Sequence, residues 1–291
     1  MTQALVFSLD DNYVMPFQVF FHSLVQTSSL PEELEIYILH SVSLGLGSIE
    51  RISGFLGQHG FSLTFLNLDR LIPENLPIRS WDHVSLSTYN RLFIADILPL
   101  HIETAFYLDA DMLALRSLRP LFDTSVGSLL AAVDHFAPDE GIRLWGAQGG
   151  SYFQAGVLVI PVSTWREMRL SKSFLSVIGN QAGRILWWDQ DVLNIAIEDR
   201  WQRLPIWYNL CQEALRFVPH ADALSNGILI HFSGRYKPWN SFNPSLYTAH
   251  WDRSYHECFG VPFNRPSLDP SRLRRLRRFF LNLLPSFVDR H

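Results

Sequence analysis

The sequence predicts an α/β protein with a mostly parallel central sheet flanked by helices. Three observations lead there. Short apolar runs alternate with stretches of helical periodicity through the first third of the chain, and strand and helix in turn imply βαβ crossovers and a parallel sheet. Acidic residues follow two of these runs, at Asp10 and Asp109, where ligands of open α/β sheets collect. With 291 residues and 47% hydrophobic content, the chain also buries an ample core.

In chain order, ALVFSL (4–9) reads as the first strand and 16–26 as a helix. LEIYIL (34–39) is the second strand, 46–58 a helix, FSLTFL (61–66) the third strand and 86–96 a helix. TAFYLD (104–109) is the fourth strand and ends in the acid pair of FYLDADML. SLLAAVDHF (128–136) and YFQAGVLVIPV (152–162) read as further core strands, with the glycine-rich loop GAQGG (146–150) between them. Helical patterns then cover 162–180 and 189–198, and GILIHFSG (227–234) holds a last strand ending in His231. The stretch 201–251 is dense in Trp, Tyr, Pro and Asn with little periodicity, so it predicts long loops and one or two short helices.

No window approaches the roughly 18 uninterrupted apolar residues that a membrane-spanning helix needs. The N-terminal run lacks a basic segment before it, which reads as a strand rather than a secretory signal. Two cysteines, Cys211 and Cys258, make no disulfide framework, and a cytoplasmic location is the expectation. The net charge of −4 is unevenly spread: 265–291 carries seven Arg against two Asp. Three prolines within 262–270 separate a body, 1–262, from this tail, 263–291. Leu273, Leu276, Phe280, Leu283 and Phe287 form one helical stripe beside five Arg at 272–278. Such a helix lies in an anionic membrane interface, here through 272–287, or packs on the acidic body. That acidic body argues against nucleic acid as a partner.

Four clusters carry chemistry. Asp10, Asp11, Asn12 and Tyr13 offer amide and carboxylate groups for a base edge and a ring to stack on it, or a helix N-cap. Asp109 and Asp111, one residue apart in an extended segment, point the same way, and a divalent cation that also holds phosphate oxygens would relieve their repulsion. HFSGRYKPW (231–239) combines His231, Gly234 and Lys237, one of only two lysines; the imidazole completes a metal site or is simply structural. WWDQD (187–191) reads as a walled pocket or as the dipole-favoured start of a helix.

Taken in order, these motifs resemble glycosyltransferase family 8, the retaining nucleotide-sugar transferases that include bacterial lipopolysaccharide galactosyl- and glucosyltransferases. FSLDDNY, STYNRLFIADILP, FYLDADML, YFQAGVLVI, WWDQDVLN and HFSGRYKPW carry the resemblance. It implies the nucleotide-sugar-binding fold called GT-A, a UDP-hexose donor, and a glycan or lipid-linked saccharide acceptor. Asp10, Asn12 and Tyr13 would hold the uracil, with Asp11 beside them. Asp109, Asp111 and His231 would ligate Mn²⁺, or else Mg²⁺, and Ala110 would let the backbone approach the ribose. Gly234 and Lys237 would grip the diphosphate. Arg91, Asp134, Gln154, Ala155, Asp189 and Gln190 would surround the donor sugar, with Gln190 and Asp189 catalytic. Gln154 departs from the family, which usually has Asn there. Retention would proceed by front-face attack, because an amide at Gln190 is a poor nucleophile. Two other readings compete: a haloacid-dehalogenase phosphatase, which wants Thr or Val where Leu113 stands, and a UDP-sugar-binding module without turnover.

Overall fold

The computed structural model describes residues 2–73, 76, 86–146, 149–243 and 245–266. Two compact units divide it, Met1–Arg235 and Tyr236–His291. The first is built on a seven-stranded sheet of β1 (Thr2–Ser8), β2 (Glu35–His40), β3 (Leu63–Asn67), β4 (Ile102–Leu108), β6 (Leu130–Asp134), β7 (Phe153–Pro161) and β8 (Trp201–Arg203), in the order β3-β2-β1-β4-β7-β6-β8. A two-stranded sheet pairs β5 (Met112–Ala114) with β9 (Leu229–His231). The expected mostly parallel sheet is present.

The pairings decide what the sheet presents. β1, β2, β3 and β4 are mutually parallel, and β6 runs parallel to β8. β7 is antiparallel to both β4 and β6, so it alone of the seven is reversed. The carboxyl ends of β1, β4 and β6 therefore share an edge with the amino end of β7. Asp10, Asp109, Asp134 and Gln154 gather there from four distant stretches of sequence. β1, β4 and β7 are apolar nearly throughout because both faces are covered, which is why they read as unbroken runs rather than alternating ones.

The helices follow expectation at Val14–Gln26, Leu46–Gln58 and Trp188–Ile197 and differ at 86–96 and 162–180. The segment 86–96 is a 3₁₀ helix, Leu86–Phe93, followed by one α-turn, Ile94–Ile97. Its polar side chains and carbonyls bond across the chain: Ser8 Oγ donates to Ser87 O at 2.8 Å and accepts from Asn90 Nδ2 at 2.9 Å, competing with a regular helix. The segment 162–180 is two helices, Val162–Glu167 and Leu170–Gln181, broken at Arg169 with φ of 52°. Pro138–Trp145 is a further helix between β6 and β7, and two of the five residues of the GAQGG loop, 147–148, lie outside the described residues. No helix among the described residues is long and apolar enough to cross a membrane.

The second unit is organised by aromatic rings. Trp251, on the helix Thr248–Phe259, meets Trp239 at 5.7 Å and Phe263 at 5.0 Å between centroids. Arg265 donates to Pro238 O at 2.9 Å and pairs with Asp252. Most of the expected tail, 267–291 with its amphipathic stripe, lies outside the described residues.

Candidate active site

The acid pair sits in the link between β4 and β5, with Asp109 N donating to Gly156 O at 2.9 Å and Phe232 N donating to Asp111 O at 2.9 Å. The link is thus clamped between the start of β7 and the end of β9. His231, the last residue of β9, brings Nε2 to 3.2 Å from Asp111 Oδ1 and 3.7 Å from Asp109 Oδ2. One donor atom from each of Asp109, Asp111 and His231 lies within 4.8 Å of the others. Gly156 makes this convergence possible: a Cβ there would stand 2.5 Å from His231 Cε1 and 2.8 Å from Asp109 Oδ2.

Arg91 is the hub between this pair and the residues Ala155 and Asp189. Its Nη2 lies 2.9 Å from Asp109 Oδ1, its Nε forms an ion pair at 2.8 Å with Asp189 Oδ2, and its Nη1 donates to Ala155 O at 2.6 Å. The guanidinium also stacks 4.4 Å over the Tyr107 ring, whose hydroxyl donates to Asp109 Oδ1 at 2.9 Å. Burial opposes the Arg91 charge, but Asp109 and Asp189 outweigh it and hold the guanidinium more firmly protonated than usual. Asp189 shows the converse: burial pushes its carboxyl up to about 6, against the pull of Arg91 and a hydrogen bond from Thr88 Oγ1 at 2.5 Å. Burial likewise raises the Tyr13 phenol, and the negative charges of Asp111, Asp109 and Asp10 push it the same way.

Asp189 and Gln190 open the helix Trp188–Ile197. Gln190 Oε1 accepts from Ala155 N at 3.1 Å and its Nε2 donates to Tyr152 Oη at 3.1 Å. The amide is held by β7 and keeps an acceptor lone pair beyond the one it uses. Asp191, although part of a second D-x-D, is scaffold: fully buried, it accepts from Tyr152 Oη at 2.7 Å, Leu186 N at 2.6 Å, Trp187 N at 2.8 Å and Arg143 Nη2 at 2.5 Å. On a helix, residues two apart do not share a face, so the spacing that joins Asp109 to Asp111 separates these two.

Other expected site residues are placed with different engagements. Asp10 caps the turn Asp11–Tyr13, accepting from Asn12 N at 2.9 Å. Asp11 turns to the helix Leu46–Gln58, where it accepts from Gly45 N at 2.9 Å; a hydrogen bond from Ser48 and that one lower its pKa. Asp134 accepts from Phe136 N at 2.9 Å and faces Arg203 at 3.6 Å. Ala110 is buried between the two acids. Gly234 has a φ of 78°, which glycine alone adopts without strain. Lys237 belongs to the second unit and is buried.

Three further side chains shape the site without having been singled out: Thr88, Tyr107 and Asn209. Tyr107 was signalled by its i, i+2 spacing to Asp109. Asn209, fully buried, joins His231 Nδ1 at 2.9 Å to Gln154 Oε1 at 2.6 Å, and nothing in its aperiodic surroundings announced it.

The family model for glycosyl transferase family 8 matches residues 4–243. The chain belongs to that family. Among curated proteins, this family 8 chain is 25% identical over 252 residues to general stress protein A of Bacillus subtilis (strain 168), covering 81% of this chain and 87% of that one. It is 26% identical over 253 residues to the lipopolysaccharide 1,2-glucosyltransferase of Escherichia coli (strain K12), covering 82% and 73%. Several streptococcal relatives are longer, and the chain spans 23% to 61% of their length. In fold, it is similar to the galactosyltransferase LgtC, solved with donor and acceptor sugar analogs, with a TM-score of 0.76 at 24% identity over 89% of this chain and 97% of that one. The GT-A architecture expected for a family 8 transferase is therefore the one observed.

Proposed function

We propose that this family 8 glycosyltransferase moves a hexose, galactose or glucose, from UDP to a hydroxyl of a glycan or lipid-linked saccharide, with retention of anomeric configuration. The observation that carries this reading is the convergence of Asp109, Asp111 and His231, with Arg91 tying Asp109 to Asp189. The names of the Escherichia coli glucosyltransferase and of LgtC favour a hexose donor.

The three side chains fit a divalent cation. Two carboxylates and an imidazole nitrogen face one another, with Arg91 beside Asp109, and a mixed oxygen and nitrogen set suits Mn²⁺, with Mg²⁺ as the alternative. Bound there, the ion would supply electrostatic stabilisation of the leaving diphosphate. The backbone at Gly234 would add to that stabilisation. Asp10, Asn12 and Tyr13 would hold the uracil at the end of β1.

The sugar side is the work of Arg91, Asp189 and Gln190. Asp189 is ion-paired and hydrogen-bonded, which makes it a poor nucleophile and a good anchor for a sugar hydroxyl. Gln190, fixed by Ala155 N–H and Tyr152 Oη, would turn its spare lone pair to the positive charge that grows at the anomeric carbon. The acceptor hydroxyl then attacks from the face the diphosphate leaves, and the leaving phosphate oxygen takes its proton. The catalytic domain is taken as 1–262 and the membrane-attaching tail as 263–291, at the cytoplasmic face.

The test is a donor screen: UDP release from UDP-galactose, UDP-glucose and UDP-GlcNAc with Mn²⁺ present. One donor should exceed the others clearly, and Gln190→Ala should bind UDP normally while turning over at least about 100-fold more slowly. Binding of UDP-sugar without release, with any common acceptor, would favour a binding module instead. A Gln190→Ala rate within about twofold of wild type would remove its catalytic role.

A further inference from the structure

A histidine can hold a cation only through a ring nitrogen that bears no proton, and the hydrogen bond at its other nitrogen decides which that is. In this chain the decision is traceable to a single backbone group. Gly156 N lies 2.5 Å from Gln154 Oε1, and a backbone N–H can only donate. The Gln154 atom facing it is therefore the amide oxygen. The same oxygen stands 2.6 Å from Asn209, so Asn209 must turn its NH₂ group to it. That leaves the Asn209 carbonyl oxygen facing His231 Nδ1 at 2.9 Å, and an oxygen without a hydrogen requires Nδ1 to be the donor. Nε2 is then the nitrogen with the lone pair in the neutral ring, and it is the one 3.2 Å from Asp111 and 3.7 Å from Asp109.

We propose that Gln154 and Asn209 are positioning residues that lock His231 in its Nδ1–H tautomer and so present Nε2 as the cation ligand. All three side chains are buried, so water does not offer the ring an alternative partner. The longer side chain of Gln154 acquires a specific use: its oxygen reaches back to Gly156 N two residues along β7 and also across to Asn209. Its Nε2 donates to no group among the described residues and stays clear of the relay. The cation half of the proposal rests on the Mn²⁺ reading, whereas the tautomer half stands without it.

Two measurements on the full chain separate them. Long-range ¹H–¹⁵N correlation spectra of ¹⁵N-histidine-labelled protein, without added metal and at a pH well above the ordinary histidine range, report which ring nitrogen carries the proton; His231→Gln identifies the signal. Wild type should show Nδ1–H, and Gln154→Leu and Asn209→Leu should show Nε2–H or a mixture. Free Mn²⁺, followed by its paramagnetic resonance signal, should show affinity weakened about 10- to 100-fold in both variants. Gln154→Glu keeps an oxygen for Gly156 N–H and Asn209, so it should restore Nδ1–H and bind Mn²⁺ no more weakly than wild type. An Nε2–H signal in wild type overturns the lock, and unchanged Mn²⁺ affinity in Gln154→Leu overturns its bearing on the cation. A wild type with Nδ1–H that binds no Mn²⁺ refutes the metal reading while the lock stands. Should Asn209→Leu fail to fold, the wild-type signal and the Gln154 pair decide.

Discussion

Gly156 and Thr88 show how narrowly single residues set this site. A Cβ at Gly156 would crowd His231, Asp109 and Gln154 Oε1, all within 2.8 Å of it, and none of these atoms ends a freely moving side chain. Gly156→Ala should leave the fold intact and lower kcat/KM by about 100-fold, the scale of a misplacement near 1 Å; circular dichroism and UDP-release kinetics check the two halves. Thr88 acts through charge instead. Asp189, raised from an ordinary 3.8 to about 6 by burial, is held down by Arg91 and by the Thr88 hydroxyl. Below about pH 6 it gains a proton and its ion pair with Arg91 weakens, so kcat/KM should fall on that side. Thr88→Val removes a bond that favours the anion, and the acid limb should therefore move to higher pH; a limb that stays in place or moves down would show that another group controls it. The acids and His231 were legible in the sequence because they end apolar runs. Asn209 and Thr88 were not, because a buried hydrogen-bond partner needs no periodicity and leaves none.

At the scale of elements, the strands were legible and their directions were not. An apolar run such as YFQAGVLVIPV announces burial on both faces, yet it carries no sign that β7 runs against its neighbours. That reversal is what carries Gln154, Ala155 and Gly156 to the edge where β1 and β4 end. The three-residue strands β5 and β8 escaped notice because pairing defines them more than composition does. The expected helix over 162–180 failed at Arg169, and Arg166, three residues earlier, ties the first of the two helices to the chain entering β4. Its guanidinium donates to Ala95 O and Leu98 O at 2.8 Å each, to Pro99 O at 2.8 Å and to Ile102 O at 3.1 Å. One side chain thus satisfies the carbonyls of the turn that leads into β4. Arg166→Met keeps the aliphatic stem and strands those carbonyls; it should cost about 2–3 kcal/mol, on the scale of hydrogen bonds to a charged group, read as a lower denaturant midpoint. Turnover in the absence of denaturant should remain near wild type, since Arg166 touches no residue of the site.

Over the whole molecule, charge is the property that composition averages conceal. Seven Arg and two Asp in 265–291 leave the preceding residues with 17 basic against 26 acidic side chains. An acidic body is repelled by phosphate-rich surfaces, so any attachment to an anionic membrane must come from the tail, whose five Arg at 272–278 alternate with Leu273 and Leu276. Each Arg near such a surface contributes about 1 kcal/mol, and a Debye length of about 8 Å at physiological salt confines the attraction to close range. The full chain should therefore sediment with vesicles of phosphatidylglycerol and phosphatidylcholine, and a chain ending at residue 266 should stay in the supernatant. Replacing the five Arg by Gln while keeping the apolar stripe should weaken sedimentation at low salt, and salt should release the wild type. Turnover of a soluble acceptor should be unchanged by the truncation, because every residue assigned to the site precedes it. If the truncated chain sediments as well as the full one, attachment lies on the body; if neither sediments, the tail serves an intramolecular or oligomeric contact.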